Sequence, residues 1–311
     1  MCKNCKTHPV ITLISGVKFC KSCFVKYFER KVYKTIGKYH LIDKKDKIGI
    51  AVSGGKDSFA LLYILNKLSK EKLHFNLIVI AVDEGIKNYR DLSFLEKFCR
   101  ENEIKLKIIN YKKELGFTLD ELVKKINKTK TKSRLTQLNI CSICTVFKRS
   151  LMNKLSRDLK LDKMATGHNL DDEAQNLLMN QFKGNLAMSA RLGPAPGVIR
   201  HEKFIPRIKP LYFMMDKETK LYSQIKKFEI DFKHCPYRSG SYRDEISKII
   251  NKIEKNHPGT KYAIVNSFLE ILPLLKEKYK DEIVKSCKKC KEPCSSDICK
   301  VCEMKSLINN K

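Results

Sequence analysis

Residues 53–58 read Ser-Gly-Gly-Lys-Asp-Ser, directly after the apolar run Ile48-Gly49-Ile50-Ala51-Val52. Backbone N–H groups in such a glycine turn, with the N-terminus of a following helix, form a cradle for anions. Gly54 and Gly55 let the backbone approach a phosphate closely. Lys56 adds a point charge, Ser53 and Ser58 add hydroxyl donors, and Asp57 adds a carboxylate. The second chemical signal is sulfur. There are 13 cysteines, most of them in CxxC pairs.

Cys2, Cys5, Cys20 and Cys23 make two such pairs near the N-terminus, and Cys287, Cys290, Cys299 and Cys302 make two near the C-terminus. Paired CxxC knuckles are the form of a closed, tetrahedral Cys₄ zinc centre. A rubredoxin-like iron or free thiols are the competing readings. Four thiolates leave no open metal position, so both quartets are expected to be structural. Cys294 lies inside the second loop, where the paired spacing favours its four neighbours as ligands.

A third set, Cys141 and Cys144, stands in mid-chain with no neighbouring pair, and Cys235 precedes Pro236 in a loop-like segment with His234. Three cysteines could hold an iron–sulfur cluster and leave one iron without a protein ligand, the open position that metal chemistry needs. A redox dithiol carrying a persulfide, a third zinc and buried structural thiols satisfy the same spacing. Cys99 sits at helical spacing with Leu92, Leu95 and Phe98 and reads as a core residue.

The elements that must position these groups follow from hydrophobic periodicity. Strands are expected at 47–52, 76–82, 104–110 and 162–167. Helices are expected at 24–41, 58–70, 89–102, 117–127, 142–160 and 170–183. Short apolar strands alternating with longer helices imply an α/β fold, a parallel sheet with helices on both faces. Ligands of such sheets sit at the carboxyl ends of the strands. The phosphate loop falls there, as do Ala81 and Asp83 after one strand and Gly167-His168-Asn169-Leu170-Asp171-Asp172-Glu173 after another. The three acids suit a helix N-terminus; their functional reading is Mg²⁺ binding or nucleotide positioning. Residues 184–215, rich in Gly and Pro with Arg191, Arg200 and Arg207, read as a flexible basic loop. Residues 241–282 read as two or three basic helices. The chain divides at this level into a knuckle at 1–30, a nucleotide-binding region at 31–240, a basic helical region at 241–284 and a knuckle at 285–311.

Lys and Arg number 63 against 34 Asp and Glu, a net charge of +29. Such an excess points to a polyanionic partner, most commonly nucleic acid, although a Lys-rich composition also follows from genome bias. Apolar runs are short, such as Leu77 to Val82, so no membrane span is expected. No secretory h-region is visible, and a cytoplasmic location is expected. In that compartment cysteines serve metals more often than disulfides.

The loop at Ser53–Ser58 is not a Walker A loop, because Ile50 and Asp57 stand where that motif needs Gly and Ser/Thr. It resembles instead the signature of the PP-loop ATP pyrophosphatases, which implies cleavage between the α and β phosphates and adenylation of a substrate oxygen. Together with the central CxxC, the distant Cys-Pro and the two terminal quartets, it makes nearly the whole chain similar to the TtuA/NcsA group of tRNA 2-thiolation enzymes. That resemblance implies a PP-loop (adenine nucleotide α-hydrolase-like) sheet flanked by two zinc knuckles. It implies a [4Fe-4S] cluster on Cys141, Cys144 and Cys235, a catalytic role for Lys148, and a homodimer. It also implies ATP on Ser53, Gly54, Gly55, Lys56, Asp57 and Ser58, with Ala81, Asp83, Gly167 and His168 nearby. Asp57 and Asp172 are the expected Mg²⁺ partners.

The expected reaction has two steps. A tRNA uridine O2 attacks the α-phosphate, Lys56 and the loop amides neutralise the departing pyrophosphate, and sulfur then replaces the adenylated oxygen. The wobble uridine (U34) is the favoured target, with the T-loop uridine (U54) as the alternative. The sulfur donor is sulfide, a persulfide or a thiocarboxylated carrier protein. Rival readings are a 2-thiocytidine synthetase, which generally lacks the terminal quartets, and a non-catalytic zinc-finger tRNA-binding protein, which would not need an intact phosphate loop.

Overall fold

The computed structural model describes residues 1–128, 139–199, 201–230, 235–237, 242–281 and 284–309; Arg200 and His234 lie outside them. At the N-terminus a small hairpin, β1 (Ile11–Thr12) and β2 (Lys18–Phe19), leads into α1 (Lys21–Lys38). The central region runs β3 (Lys47–Val52), α2 (Lys56–Leu68), β4 (Asn76–Asp83), α3 (Ser93–Glu101), β5 (Lys105–Asn110), α4 (Tyr111–Leu115), α5 (Leu119–Lys128), α6 (Ile140–Asp158), β6 (Lys163–Thr166), α7 (Leu170–Phe182), α8 (Leu186–Ala190), β7 (Arg207–Ile208) and α9 (Asp216–Ile225). A short π-helical segment, Ser69–Leu73, continues α2. Helices α10 (Tyr242–Asn256) and α11 (Thr260–Lys278) follow, then the hairpin β8 (Lys285–Ser286) and β9 (Pro293–Cys294), and α12 (Lys300–Asn309).

Five strands form one sheet in the order β5-β4-β3-β6-β7, and every pairing is parallel. The apolar runs explain why: Ile48, Ile50 and Val52 of β3 and Ile78 to Val82 of β4 are buried, as strands covered on both faces require. The four expected strands agree with the observed ones to within one residue. From β3 the chain first builds outward through β4 and β5, then returns to the other side of β3 for β6 and β7. The strand order therefore reverses at β3 and β6, where the carboxyl ends leave a crevice.

Two cores cover the sheet. On one, α1, α2 and α9 pack together, with Phe28 fully buried and its ring stacked on Tyr222 at 4.3 Å. The N-terminal Cys2 and Cys20 belong to this same core. The other joins α5, α6 and the C-terminal α12 through Ile143, Phe147, Met304 and Ile308. A third cluster seats α10 and α11 on α7.

Residues 184–215 are not the flexible loop their Gly and Pro content predicts. They supply α8 and the edge strand β7, and Lys209 to Tyr212 are buried. A two-residue strand has no periodicity to read; its pairing of Met164 with Arg207 and Ala165 with Ile208 comes from tertiary contact. No helix among the described residues is long and apolar enough to cross a membrane.

Phe28→Ala removes a fully buried ring from the contact of α1 with α9. It is expected to cost about 3–5 kcal/mol of stability, read from urea denaturation.

Candidate active site

The phosphate loop forms at the end of β3 because Gly54 takes φ +76°, a left-handed conformation open to glycine. Ser58 closes the loop from inside. Its Oγ accepts from the Ser53 N–H at 3.1 Å, donates to the Gly55 carbonyl at 2.9 Å and lies 3.2 Å from Ser53 Oγ. Gly55 is the N-cap of α2 and no side chain caps it. The first N–H groups of that helix, beyond the one Phe59 donates to Gly55, are therefore the orphan donors that an anion would satisfy.

Gly167 at the end of β6 lies against this turn. A Cβ there would fall 2.8 Å from the Ser58 nitrogen and 2.9 Å from the Asp57 carbonyl carbon. Asn169, two residues on, links the two acids of interest. Asn169 Nδ2 donates to Asp57 Oδ1 at 3.1 Å, while its Oδ1 caps α7 by accepting from the Asp172 N–H at 3.1 Å. Asp172 completes a capping box on the Asn169 N–H. Burial raises the carboxyls of Asp57 and Asp172 above the usual range, opposed by Lys56 and Arg243 respectively. Two adjacent carboxylates beside a phosphate cradle are a donor set suited to Mg²⁺, which takes one or two carboxylates with phosphate oxygens and waters.

Lys56 is held by two acids, Asp57 at 2.7 Å and Asp216 at 2.5 Å. Burial works to lower its pKa, but Asp57 and Asp216 reverse this and hold the ammonium above its usual value. Asp83 turns its carboxylate to the Gly85 N–H and to Asn110 Nδ2, both at 2.8 Å. Ala81 is buried in the sheet between β3 and β5. His168 bonds Thr166 Oγ1 through Nδ1 at 2.9 Å. Burial, then Lys209, Arg149, Arg243 and Arg207, push its pKa down to about 3, so the ring is neutral at physiological pH.

The mid-chain cysteines lie at the same edge. Asn139 caps α6 by accepting from the Cys141 N–H at 2.8 Å, so Cys141 stands in the first helical turn and Cys144 one turn on. The fully buried Tyr111 donates to the Cys144 carbonyl at 2.9 Å, with Cys144 Sγ 3.7 Å away. Cys141 Sγ lies 3.5 Å from the Tyr237 carbonyl, two residues beyond Cys235, which brings the Cys-Pro loop to the CxxC. Burial pushes the Cys144 thiol up, and Lys148 opposes it. Sulfurs of one tetrahedral zinc site stand about 3.8 Å apart. The two terminal quartets have that compactness, every sulfur within 4.8 Å of the others, and this trio does not. The wider trio suits a polynuclear cluster better than a single ion.

In the quartets, Cys5 Sγ lies 3.4 Å from Cys20 Sγ and 3.7 Å from Cys23 Sγ; Cys290 and Cys299 sulfurs are 3.5 Å apart. Cys294 points elsewhere, to the Ser296 carbonyl. Ser22 and Thr7 bring Cys20 down to about 5, while burial and then Cys20 push Cys23 up to about 12. A divalent cation among four thiolates removes that conflict, so both quartets fit zinc.

The sequence did not single out Asp216, Glu84, Arg90 or Lys261. Glu84 had the same signal as Asp83, an acid at a strand's carboxyl end. Asp216 and Lys261 had none; Lys261, on α11, reaches the crevice by pairing with Asp171.

Residues 25–234 match the PP-loop domain family. A relative from Methanocaldococcus jannaschii, described as a probable sulfurtransferase, is 40% identical over 93% of this chain and 82% of its own. The tRNA-5-methyluridine(54) 2-sulfurtransferase of Pyrococcus horikoshii is 35% identical over 100% of this chain and 96% of its own. Among solved structures, the U34-tRNA thiolase NcsA of Methanococcus maripaludis, determined with its [4Fe-4S] cluster, superposes with a TM-score of 0.80 at 35% identity, covering 97% of this chain and 94% of that one.

Gly167→Ala forces β6 away from α2. It is expected to cost about 1–3 kcal/mol in urea denaturation and to weaken nucleotide binding in a titration calorimeter.

Proposed function

Because the chain belongs to the PP-loop family of tRNA sulfurtransferases, we propose that it adenylates the O2 of a tRNA uridine and replaces that oxygen with sulfur. The observation that carries this reading is the meeting of two chemistries at one crevice. Arg90, whose Cδ is 3.9 Å from where a Cβ on Gly54 would stand, shares Glu84 with Lys148, one turn beyond Cys144.

ATP binds with its phosphates on the Ser53–Ser58 turn and the α2 N-terminus. Its charge draws Lys56 from Asp57 and Asp216, and releases Asp57, with Asp172, to hold Mg²⁺. Lys56 and the loop N–H groups then stabilise the negative charge that grows on pyrophosphate as uridine O2 attacks the α-phosphate. Neutral His168 and the backbone at Gly167, Ala81 and Asp83 border the nucleotide. The [4Fe-4S] cluster, held by Cys141, Cys144 and Cys235, supplies activated sulfur when bound. Lys148 offers its ammonium to the charge that develops as the adenylated oxygen leaves. The target base leaves its stack to reach the crevice.

The +29 charge favours tRNA backbone binding with strong salt dependence. We take the wobble uridine, U34, as the target, in line with the thiolase structure that superposes along 97% of the chain; the Pyrococcus relative favours U54. Sulfide, a persulfide or a thiocarboxylated carrier delivers sulfur. Zinc fills both quartets, and a second copy of the chain covers exposed apolar residues such as Ile271 and Leu274 of α11.

Lys56→Ala is expected to abolish tRNA-dependent pyrophosphate release while tRNA affinity stays within about twofold by filter binding. Mass spectrometry of nucleosides mapped by position, in cells lacking the protein, should show 2-thiouridine lost at U34. Loss confined to U54 would move the target, and unchanged thiolation would overturn the reading. Metal analysis should find two zinc per chain, falling to one in Cys287→Ser.

A further inference from the structure

Glu84 follows β4 at the carboxyl edge of the sheet and is only 3% exposed. Its backbone is pinned, since the carbonyl accepts from the Leu119 N–H at 2.8 Å. Gly85, at φ +67°, lies so close to Thr118 that a Cβ would fall 2.5 Å from its methyl. The side chain carries two cations. Arg90 Nη1 donates to both carboxylate oxygens, at 2.9 and 3.3 Å, and Lys148 Nζ pairs with Oε1. Arg90 is further fixed by its Nη2 on the Tyr89 hydroxyl at 3.2 Å and by that ring under its guanidinium.

These cations point to different halves of the site. Arg90 lies over Gly54 of the phosphate loop, and Lys148 lies one turn from Cys144. A single buried carboxylate with two cations leaves the group one positive charge in excess, which suits neighbours that gain negative charge. Buried charges held by a fixed acid need little reorganisation when such charge appears.

We propose that Glu84 is the positioning residue that couples the two half-reactions, holding Arg90 for adenylation and Lys148 for sulfur transfer. The inference rests on the thiolation reading above and adds to it a second side-chain cation, Arg90, beside the triphosphate. Arg90 then acts with Lys56 on the phosphates, and Glu84 acts only through its two cations.

The test measures tRNA-dependent pyrophosphate release and 2-thiouridine formation separately, on wild type, Glu84→Gln, Glu84→Asp, Arg90→Ala and the Glu84→Gln/Arg90→Ala pair, with thermal unfolding of each. Glu84→Gln is expected to lower kcat of both half-reactions about tenfold to a hundredfold with the KM for ATP within twofold, and Glu84→Asp to recover part of the loss. Once Arg90 is gone, Glu84→Gln should cost pyrophosphate release nothing more. Glu84→Gln within twofold of wild type in both assays overturns the inference. So does the same factor lost with and without Arg90, which is what a purely structural role gives. A wild-type protein inert in both assays overturns the thiolation reading itself, and the inference with it.

Discussion

Backbone meets backbone where the end of β6 touches the start of α2, and the crevice is arranged around that contact. At Gly167 no side chain fits between the two. The phosphate turn and the acidic helix N-terminus are therefore brought as close as two chains can come. Asn169 can then span from α7 to Asp57, and its one amide caps a helix and orients a carboxylate at once. The helix N-termini of α2 and α7 converge on the same space. Both dipoles favour anions there, so the site is biased toward polyphosphate before any lysine is counted.

The lysines and arginines of the crevice are mostly neutralised in place. Lys56 faces Asp57 and Asp216, Lys209 faces Glu173, Lys261 faces Asp171, and Arg243 faces Asp172. For the buried pair of Lys209 with Glu173, removing one partner leaves an uncompensated charge that costs about 3–5 kcal/mol. The acids thus hold the cations in place around the phosphate turn. Arg149 and Arg207 differ, since no carboxylate among the described residues pairs with either. Burial, then Arg149, lowers Arg207 to about 10. Two guanidiniums this close, with no carboxylate partner among the described residues, leave a local excess of positive charge. The overall charge of +29 adds a long-range field of the same sign.

The parts of the architecture with local periodicity were legible in the sequence. Strands β3 and β4 are apolar runs and β5 and β6 shorter apolar stretches behind a lysine, and the ends of β3, β4 and β6 carry the phosphate turn, Asp83 and the Gly167 to Glu173 segment. The CxxC spacing likewise located both quartets, because a knuckle is a local structure. What escaped depends on distant pairing. Strand β7 is two residues held by β6 alone. Asp216 meets Lys56 across 160 positions, and Lys261 meets Asp171 across 90. Glu84 and its neighbour Asp83 carry the same sequence signal, yet Asp83 spends its carboxylate on a turn and a sheet partner, while Glu84 holds the two cations. Side-chain direction at a strand's end alternates residue by residue, and sequence does not say where the alternation breaks.

All three cysteine sites use one local device and differ in what closes it. Cys20 is the N-cap of α1 with Cys23 in its first turn, Cys141 stands in the first turn of α6, and Cys299 directly precedes α12 with Cys302 following. A helix dipole acts on a thiol in each case, and burial opposes it at Cys23 and Cys144. In the terminal sites a second CxxC folds back from a hairpin and brings four sulfurs within 4.8 Å, so a single ion has no vacant position. In the central site no second CxxC closes on Cys141 and Cys144 among the described residues, and the loop that carries Cys235 meets them where the Cys141 thiol lies on the Tyr237 carbonyl. Lys148, one turn beyond Cys144, joins this helix end to the crevice through its pair with Glu84. The number of cysteines that close on each helix end therefore separates two compact quartets, which tie neighbouring segments to α1 and α12, from a more open central pair.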